Sequence, residues 1–217
     1  MDGGLLQQLN DDDRRALISK MTRRSFRKSD TIFHEGDPGD TLHVIEKGHV
    51  AVRLSTRNGD VATLTVLGPG TSFGEQALLT DAAARTASAV ALDAVETRSL
   101  HRNEFEQLRK DNPTVERFLT SVLAEQVRRL SAQLLDALYT PADQRVVRRL
   151  VEVVDLYAGQ PGAVEIPLKQ EDLASMAGTT RPTANRVLKQ LEADGVLTVS
   201  RGQLLVLDPD ALRKRAR

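Results

Sequence analysis

Two residue pairs, each with one charged member, flank a short apolar stretch of the 217-residue sequence: Gly74-Glu75 and, ten residues after the glutamate, Arg85-Thr86. A guanidinium donates paired N–H bonds to a phosphate diester, and a carboxylate accepts a hydrogen bond from a sugar hydroxyl. Gly74 lets a ligand approach the backbone, and a helix predicted to begin at Gln76 would present free N–H groups to an anion. The spacing therefore predicts a ribose-phosphate site. A structural ion pair between Glu75 and Arg85 is the alternative.

The residues around these pairs, from 31 to 100, have the pattern of a β domain. Short runs alternate apolar and polar residues or are rich in β-branched ones, as in half-buried strands; they lie at 42–54, 61–67, 86–92 and 94–100. Asn58-Gly59 is a strong hairpin signal, and a tight turn is predicted at Asp93. We expect a small β-barrel or sandwich, preceded by one or two short helices within residues 5–25.

A long helix is predicted to follow the strands. Asp111-Asn112-Pro113 is typical of a helix start, and Tyr139-Thr140-Pro141 ends the helix. Between them, apolar residues are spaced by four and three, as in a heptad seam: Leu123, Val127, Leu130, Leu134 and Ala137. Because the seam covers only about two heptads, two interpretations stay open. The helix packs on its own domain, or it pairs with the same helix of a second chain.

Residues 170–197 are predicted to form two helices joined by a turn at Gly178, which is the helix-turn-helix pattern. Thr180 is a good N-cap for the second helix, and Pro182 fits its first turn. Polar residues on or near the outer face of that helix are candidates for contacting DNA bases in the major groove: Thr180, Arg181, Thr183, Asn185, Arg186 and Lys189. A hairpin, or wing, is predicted at residues 196–207. An ordinary helical hairpin is the alternative.

Composition narrows the class of protein. The chain is 40% hydrophobic and 28% charged, with no net charge, no cysteine and no apolar run that could span a bilayer. These values indicate a cytoplasmic globular protein without disulfides or cysteine-ligated metals, and we expect no membrane contact. The histidines lack metal-ligand spacing, and no catalytic arrangement is visible. We therefore expect neither a metal site nor an enzyme.

The C-terminal part carries a local positive charge. From residue 169 onward, nine lysines and arginines outnumber six acidic residues, a surplus of three. Four of the nine lie in the terminal segment RKRAR. This tail is either solvated or a contact to DNA phosphates, and the two interpretations carry equal weight.

Residues 73–89, FGEQALLTDAAARTASA, resemble the phosphate-binding cassette of cyclic-nucleotide-binding domains, and residues 35–52 resemble the strand-and-turn signature of the same domains. The order of cassette, long helix and helix-turn-helix resembles the cyclic-AMP receptor protein family of bacterial transcription regulators, over nearly the whole chain. The resemblance implies an α+β fold. It would comprise a cyclic-nucleotide-binding β-roll at 1–110, a dimerisation helix at 111–139 and a winged helix-turn-helix DNA-binding domain at 140–217.

The resemblance also implies a nucleotide site. In the family, a Gly-Glu pair binds phosphate and ribose, and an arginine followed by a hydroxyl residue holds the cyclic phosphate; here Thr86 replaces the commoner serine. β-roll side chains and the dimerisation helix contact the purine. The residues expected to contact the nucleotide are Gly74, Glu75, Gln76, Arg85, Thr86, Val52, Thr65, Leu67 and Ser131. Leu130, beside Ser131, departs from the polar pair of the family and cannot donate to the base.

The implied effector is cyclic AMP, with cyclic GMP as the alternative. The implied partners are a second copy of the chain, double-stranded DNA with a near-palindromic operator, and RNA polymerase. Arg181 and Arg186 suit guanine O6 and N7, whereas Pro182 stands where a well-studied family pattern has a glutamate that accepts from cytosine. One rival interpretation is a regulator of the same fold that acts without cyclic nucleotide, or with another effector, and Leu130 motivates it. The other is a signalling module, such as a nucleotide-binding subunit that docks on an enzyme, and the helix-turn-helix with its arginines argues against it.

Overall fold

The computed structural model describes residues 10–56, 59–79, 84–111, 114–158 and 162–216. The described chain forms two compact units. The first contains the residues up to Leu54 together with Leu67–Leu130, and the second contains Ser55–Val66 and the residues from Ser131 onward.

Two four-stranded sheets account for the predicted β domain. The elements are, in order, α1 (Asp11–Ser19), β1 (Thr22–Phe26), β2 (Thr31–Phe33), β3 (Thr41–Lys47), β4 (Val50–Ser55), β5 (Val61–Leu67), β6 (Ser72–Phe73), a 3₁₀ helix (Glu75–Leu78), β7 (Ser88–Ala91), β8 (Val95–His101) and α2 (Arg102–Asp111). The strand orders are β1-β8-β3-β6 and β2-β7-β4-β5. The predicted β-roll is thus confirmed, although Asn58 of the predicted hairpin turn lies outside the described residues.

β7 and β8 follow one another in the sequence, yet they belong to different sheets. β7 pairs with β4, whereas β8 pairs with β3. The chain changes sheets at the turn predicted around Asp93, whose Oδ1 accepts from the backbone N–H of His49 at 2.8 Å. Backbones approach closely here, because a Cβ on Gly48 would lie 2.3 Å from the carbonyl oxygen of Ala94. The crossing therefore requires glycine at this position.

The N-terminal region is part helix and part strand. α1 lies where a helix was expected, but residues 22–25 belong to β1, so the helix prediction is wrong there. β1 pairs antiparallel with β8, from Thr22 opposite Ser99 to Phe26 opposite Val95. It is an edge strand, and its first four residues are exposed. Because neither face of TRRS is buried, the sequence has no apolar alternation that would indicate a strand.

Two clusters of buried apolar side chains stabilise the first unit. One packs α1, α2 and the next helix, α3 (Thr114–Tyr139), against β3 and β8; its largest members are Leu17, Leu42, Leu100, Phe105 and Phe118. The other lies among the strands and includes Ile45, Val50, Leu67, Phe73 and Ala89. Phe73 immediately precedes Gly74, so this second cluster fixes the backbone where the Gly-Glu pair begins.

The second unit contains the end of α3 and a series of shorter elements: α4 (Ala142–Tyr157), β9 (Val164–Ile166), α5 (Gln170–Met176), α6 (Arg181–Ala193), β10 (Leu197–Ser200), β11 (Gln203–Val206) and α7 (Pro209–Arg215). α5 and α6 confirm the helix-turn-helix, with Gly178 at a left-handed φ of 58° in the turn. β10 and β11 confirm the wing, to which β9 adds a third strand. α3 ends at Tyr139 as predicted, whereas Asn112 and Pro113 of its predicted start lie outside the described residues.

The segment between β4 and most of β5 contributes to the second unit. Thr63 is fully buried; its Oγ1 donates to Asp172 Oδ1 at 2.5 Å, and its backbone N–H donates to Ser175 Oγ at 3.0 Å. Both partners lie on α5, the first helix of the helix-turn-helix. The second unit is therefore built from two segments far apart in the sequence.

Among the helices that the structure describes, none combines the length and the apolar composition needed to span a membrane.

Candidate functional site

One cavity of the first unit brings together seven of the nine residues predicted to contact a nucleotide: Gly74, Glu75, Gln76, Arg85, Thr86, Val52 and Leu67. Other polar side chains at the cavity wall are Ser72, Ser88, Gln126 and Arg129. The charged lining residues are Glu75, Arg85 and Arg129, which together give one positive charge (2 − 1 = 1). This balance suits a ligand with a single negative charge, such as a cyclic phosphate diester.

Arg85 is held in a fixed orientation at the cavity wall. Its Nη1 donates to the carbonyl oxygens of Thr41 (2.8 Å) and Gly74 (3.2 Å), its Nη2 donates to Thr41 Oγ1 (2.8 Å), and the guanidinium carbon lies 4.1 Å from the ring centre of Phe33. Burial lowers the pKa of the Arg85 guanidinium from its ordinary value, and the nearby carboxylate of Asp40 opposes that shift. No hydrogen bond joins Arg85 to Glu75 within the described ranges, so the structure does not favour the ion-pair alternative.

Two buried polar atoms of residues that line the cavity have no hydrogen-bond partner among the residues that the structure describes. They are Arg85 Nε and Ser72 Oγ, and each could bond to a ligand oxygen. An unpaired buried donor is costly, and a guanidinium N–H more so than a neutral group. The cavity is therefore chemically suited to a bound anion with several oxygen acceptors.

Gly74 is required by the crowding beside Arg85. It adopts a left-handed φ of 76°, and a Cβ there would lie 2.6 Å from Arg85 Nη1. The short helix predicted from Gln76 is a single 3₁₀ turn, Glu75–Leu78. Because a helix dipole grows from several aligned turns, it adds little here, and the guanidinium must supply most of the attraction for an anion.

Glu75 and Arg129 place opposite charges on the cavity wall. The Glu75 side chain is buried, with 8% of the residue exposed. Burial lowers the pKa of Arg129, while the charges of Glu75 and then Glu125 raise it. Arg129 also donates from Nη2 to Gln126 Oε1 one helical turn earlier, so both α3 side chains are oriented together. Sequence reasoning missed this pair, because polar residues on a long helix usually indicate a solvated face.

The other two predicted nucleotide contacts are not among the residues that line the cavity of the first unit. Thr65 and Ser131 belong to the second unit. Leu130 is 53% exposed and does not line the cavity. α3 therefore presents Gln126 and Arg129 to the cavity, rather than the pair Leu130 and Ser131 that the resemblance indicated.

A layer of rings packs behind Arg85. The imidazole of His43 stacks on Phe73 with ring centres 5.1 Å apart, and its Nδ1 lies 3.2 Å from Thr97 Oγ1. His43 is 6% exposed. Burial lowers its pKa from 6.5 to about 4, and the positive charges of Arg85 and Arg24 act in the same direction. His43 is therefore neutral at pH 7. Separately, no cluster of possible metal ligands is present among the described residues.

The depressed pKa of His43 predicts acid destabilisation of the first unit. Between pH 6.5 and 4 the unfolded chain binds a proton that the folded chain excludes, so stability is complete above pH 6.5 and falls as the pH drops. The expected loss at pH 5 is about 2 kcal/mol in the free energy of unfolding. Urea unfolding followed by circular dichroism at pH 7 and pH 5 measures it. His43→Gln should remove most of that pH dependence; an equal loss in both proteins would contradict the assignment.

The predicted DNA-contacting side chains lie on α6 between its N-cap, Thr180, and Lys189 in its third turn. Arg181, Arg186 and Lys189 are exposed, and Asn185 and Thr183 are half-exposed. Thr180 caps the helix, because its Oγ1 accepts from the backbone N–H of Thr183 at 3.4 Å. The buried side chains of α6 are Ala184, Val187, Leu188 and Leu191, which leaves its charged side chains facing solvent.

The basic C-terminal segment is a helix rather than a loose tail. Arg213 in α7 pairs with Asp155 at 2.7 Å and with Asp210 at 2.8 Å, and Arg215 pairs with Asp194 at 2.6 Å. Leu212 is fully buried beneath them. These contacts hold α7 against the rest of the second unit, so two of the four basic residues already have partners within the chain.

Two family models match the chain: the Cyclic nucleotide-binding domain over residues 23–112 and the Crp-like helix-turn-helix domain over residues 144–215. The solved structure of FixK2 from Bradyrhizobium japonicum is 24% identical and has a TM-score of 0.74, with 91% of this chain and 98% of that chain covered. This likeness shows the fold.

Two curated relatives extend the match to nearly the full length. The CRP-like cAMP-activated global transcriptional regulator of Mycobacterium tuberculosis is 30% identical over 217 residues, which cover 99% of this chain and 96% of that protein. The Cyclic AMP receptor protein of Thermus thermophilus is 32% identical over 199 residues, with 92% and 90% covered. The chain therefore belongs to the cyclic-AMP receptor protein family and is a DNA-binding transcription regulator that responds to a cyclic nucleotide.

Proposed function

We propose that cyclic AMP is the effector and that it binds in the cavity of the first unit. The observation that carries this proposal is the buried Arg85 Nε, which has no partner in the described part of the chain, on a residue that lines the same cavity as the buried Glu75. Arg85, Thr86 and the backbone at Gly74 and Gln76 would bind the cyclic phosphate. Glu75 would accept from the ribose 2′-hydroxyl. Two curated relatives bear names that refer to cyclic AMP, which agrees with this choice.

The base would lie between the apolar wall and α3. Val52 and Leu67 supply the apolar wall, and we add Gln126 and Arg129 to the site because both face the cavity. Thr65 and Ser131 stay proposed contacts to the purine. Gln126 carries both a donor and an acceptor, so it could satisfy either adenine or guanine. Cyclic GMP is for that reason the second candidate effector.

We also propose that the protein works as a homodimer joined along α3. Three residues of the predicted seam, Val127, Leu130 and Leu134, are each more than half exposed in the single chain. They fall at heptad spacing, and a second copy of the same helix would cover them. Light scattering should give twice the 23.8 kDa of one chain. A two-fold dimer would bind a near-palindromic operator in successive major grooves.

The functional division would be a β-roll at 1–110, a dimerisation helix at 111–139 and a DNA-binding domain at 140–217. For the nucleotide to act as a switch, it must bind one state of the dimer more tightly than the other, since equal affinity shifts nothing. Contact with RNA polymerase would follow from a role in transcription. A regulator without a nucleotide is not favoured, because a cyclic-nucleotide-binding family model matches the first unit.

Calorimetric titration tests which nucleotide binds, and DNA selection tests whether the bound nucleotide changes the DNA sequence that the protein prefers. Cyclic AMP and cyclic GMP are titrated separately into the full chain, and duplexes are then selected with and without the tighter ligand. We expect micromolar or tighter binding of cyclic AMP and a selected sequence with two-fold symmetry. Absence of binding by both nucleotides would refute the effector; nucleotide binding without any selected sequence would refute the operator.

Arg186→Ala should relax base preference. The arginine fork suits guanine O6 and N7, so its loss should reduce the discrimination between the selected duplex and a variant at one base pair by about 2 kcal/mol. Fluorescence anisotropy with the two duplexes measures the difference. Lys189→Ala serves as a control, because loss of a phosphate contact should weaken binding to all sequences alike and reduce the salt slope by about one. Equal effects of both substitutions would contradict the role given to Arg186.

A further inference from the structure

Arg186 has a partner on another helix. Its Nη2 donates to Asp143 Oδ1 at 2.6 Å, and the two residues are 43 positions apart. The side chains are 67% and 48% exposed, so the pair lies at the surface where α6 would meet DNA. An arginine has five N–H donors. Only one bond from Arg186 to the chain is present in the described ranges, which leaves its other donors free to contact a base.

The Asp143 side chain makes no other hydrogen bond or ion pair in the part of the chain that the structure describes. It lies in the first turn of α4, whose N-cap is Pro141 and has no side-chain hydrogen bond, so the carboxylate does not cap the helix. The other cation beside the groove between α4 and α6 is Arg215, and Asp194 already binds it at 2.6 Å. Among the described residues, Arg186 is therefore the one side chain that donates a hydrogen bond to the carboxylate of Asp143.

We propose that Asp143 is a specificity-determining positioning residue that fixes Arg186 for base recognition; this rests on the proposed DNA-binding role of α6. A free arginine is long and flexible, so on a wrong sequence it could swing to a phosphate and recover affinity without reading a base. The carboxylate holds the guanidinium away from phosphates and is itself repelled by them. Specificity then arises from a repulsive group as well as an attractive one.

The proposal predicts a change in discrimination rather than in total affinity. Asp143→Ala should tighten binding to a random duplex and lower the ratio of selected to random affinity by about fivefold at low salt, as for a half-exposed ion pair. Asp143→Asn should keep most of the ratio, because its side-chain oxygen still accepts from Arg186. In an Arg186→Ala background, Asp143→Ala should leave the ratio unchanged. The measurement is anisotropy with the selected duplex and a random duplex of equal length, at two salt concentrations.

Asp210→Ala is the matched control. It removes an exposed carboxylate of the same unit, also paired to an arginine, Arg213. The proposal is overturned if Asp143→Ala keeps the wild-type ratio, or if all three single substitutions of acidic residues lower the ratio alike, since that would be an effect of charge alone. Failure of the underlying DNA-binding role is a separate result: the wild-type protein would then select no sequence, and Arg186→Ala would change nothing.

Discussion

Arg85→Ala is expected to weaken the binding of cyclic AMP by about 100-fold, or about 3 kcal/mol, because two charge-assisted hydrogen bonds to the phosphate are lost. Arg85 is 7% exposed, and Thr41 and Gly74 already orient its guanidinium, so little entropy is lost when it meets the anion. Calorimetric titration of the full chain measures the change. Arg85→Lys keeps the positive charge but not the paired N–H donors of the guanidinium, and should weaken the binding of cyclic AMP about tenfold.

The same substitution removes three internal hydrogen bonds, so folding must be checked separately. Thr41 O, Gly74 O and Thr41 Oγ1 all lose their donor, and a lower melting temperature is expected. Arg23→Ala is the matched control, because Arg23 lies in the same unit, its side chain is 70% exposed, and among the described residues the side chain has one ion pair, at 3.3 Å to Glu46. The nucleotide site is misassigned if Arg85→Ala, shown to be folded, binds cyclic AMP as tightly as Arg23→Ala does.

The phosphate side of the cavity could be predicted from the sequence because its residues form one short segment. Gly74, Glu75, Arg85 and Thr86 carry their chemistry in residue type and spacing, and the structure places all four at one cavity. The part of the cavity wall that α3 supplies could not be predicted in this way. Arg129 looks like a solvated helix residue until the fold places it beside Glu75, and charge on a helix surface has no periodicity that marks a site.

The pairing between segments that are distant in the chain also could not be predicted from the sequence. Alternation predicts that a run is a strand, but it does not say which sheet the strand joins, so β7 and β8 looked like one hairpin and lie in two sheets. Thr63 and Asp172 illustrate the same limit. Each is an ordinary polar residue in its own segment, and only the fold makes them a buried hydrogen bond. The helix-turn-helix was predictable since its signals are local: a turn glycine, an N-cap and apolar spacing.

Asp136→Ala should destabilise the second unit by about 3 kcal/mol. Asp136 lies near the end of α3 and binds two arginines of α4, with Oδ1 2.6 Å from Arg148 Nη1 and Oδ2 2.7 Å from Arg149 Nη2. The Arg149 side chain is 7% exposed, and its other partner, Glu152, is half exposed. Breaking a buried ion pair leaves an uncompensated charge, which typically destabilises a fold by about 3–5 kcal/mol; the remaining bond to Glu152 puts the expected loss at the lower end.

The chain supplies a selective probe for this measurement. It has no tryptophan and two tyrosines, Tyr139 and Tyr157, both in the second unit. Urea unfolding followed by tyrosine fluorescence therefore reports on that unit. Asp155→Ala is the control: it removes a half-exposed partner of Arg213 and should change the free energy of unfolding by less than about 1 kcal/mol. Equal losses for Asp136→Ala and Asp155→Ala would mean that the carboxylate joining α3 to α4 contributes no more than a surface ion pair. A larger loss for Asp136→Ala would show that the junction between these helices is held by side-chain charge as well as by apolar packing.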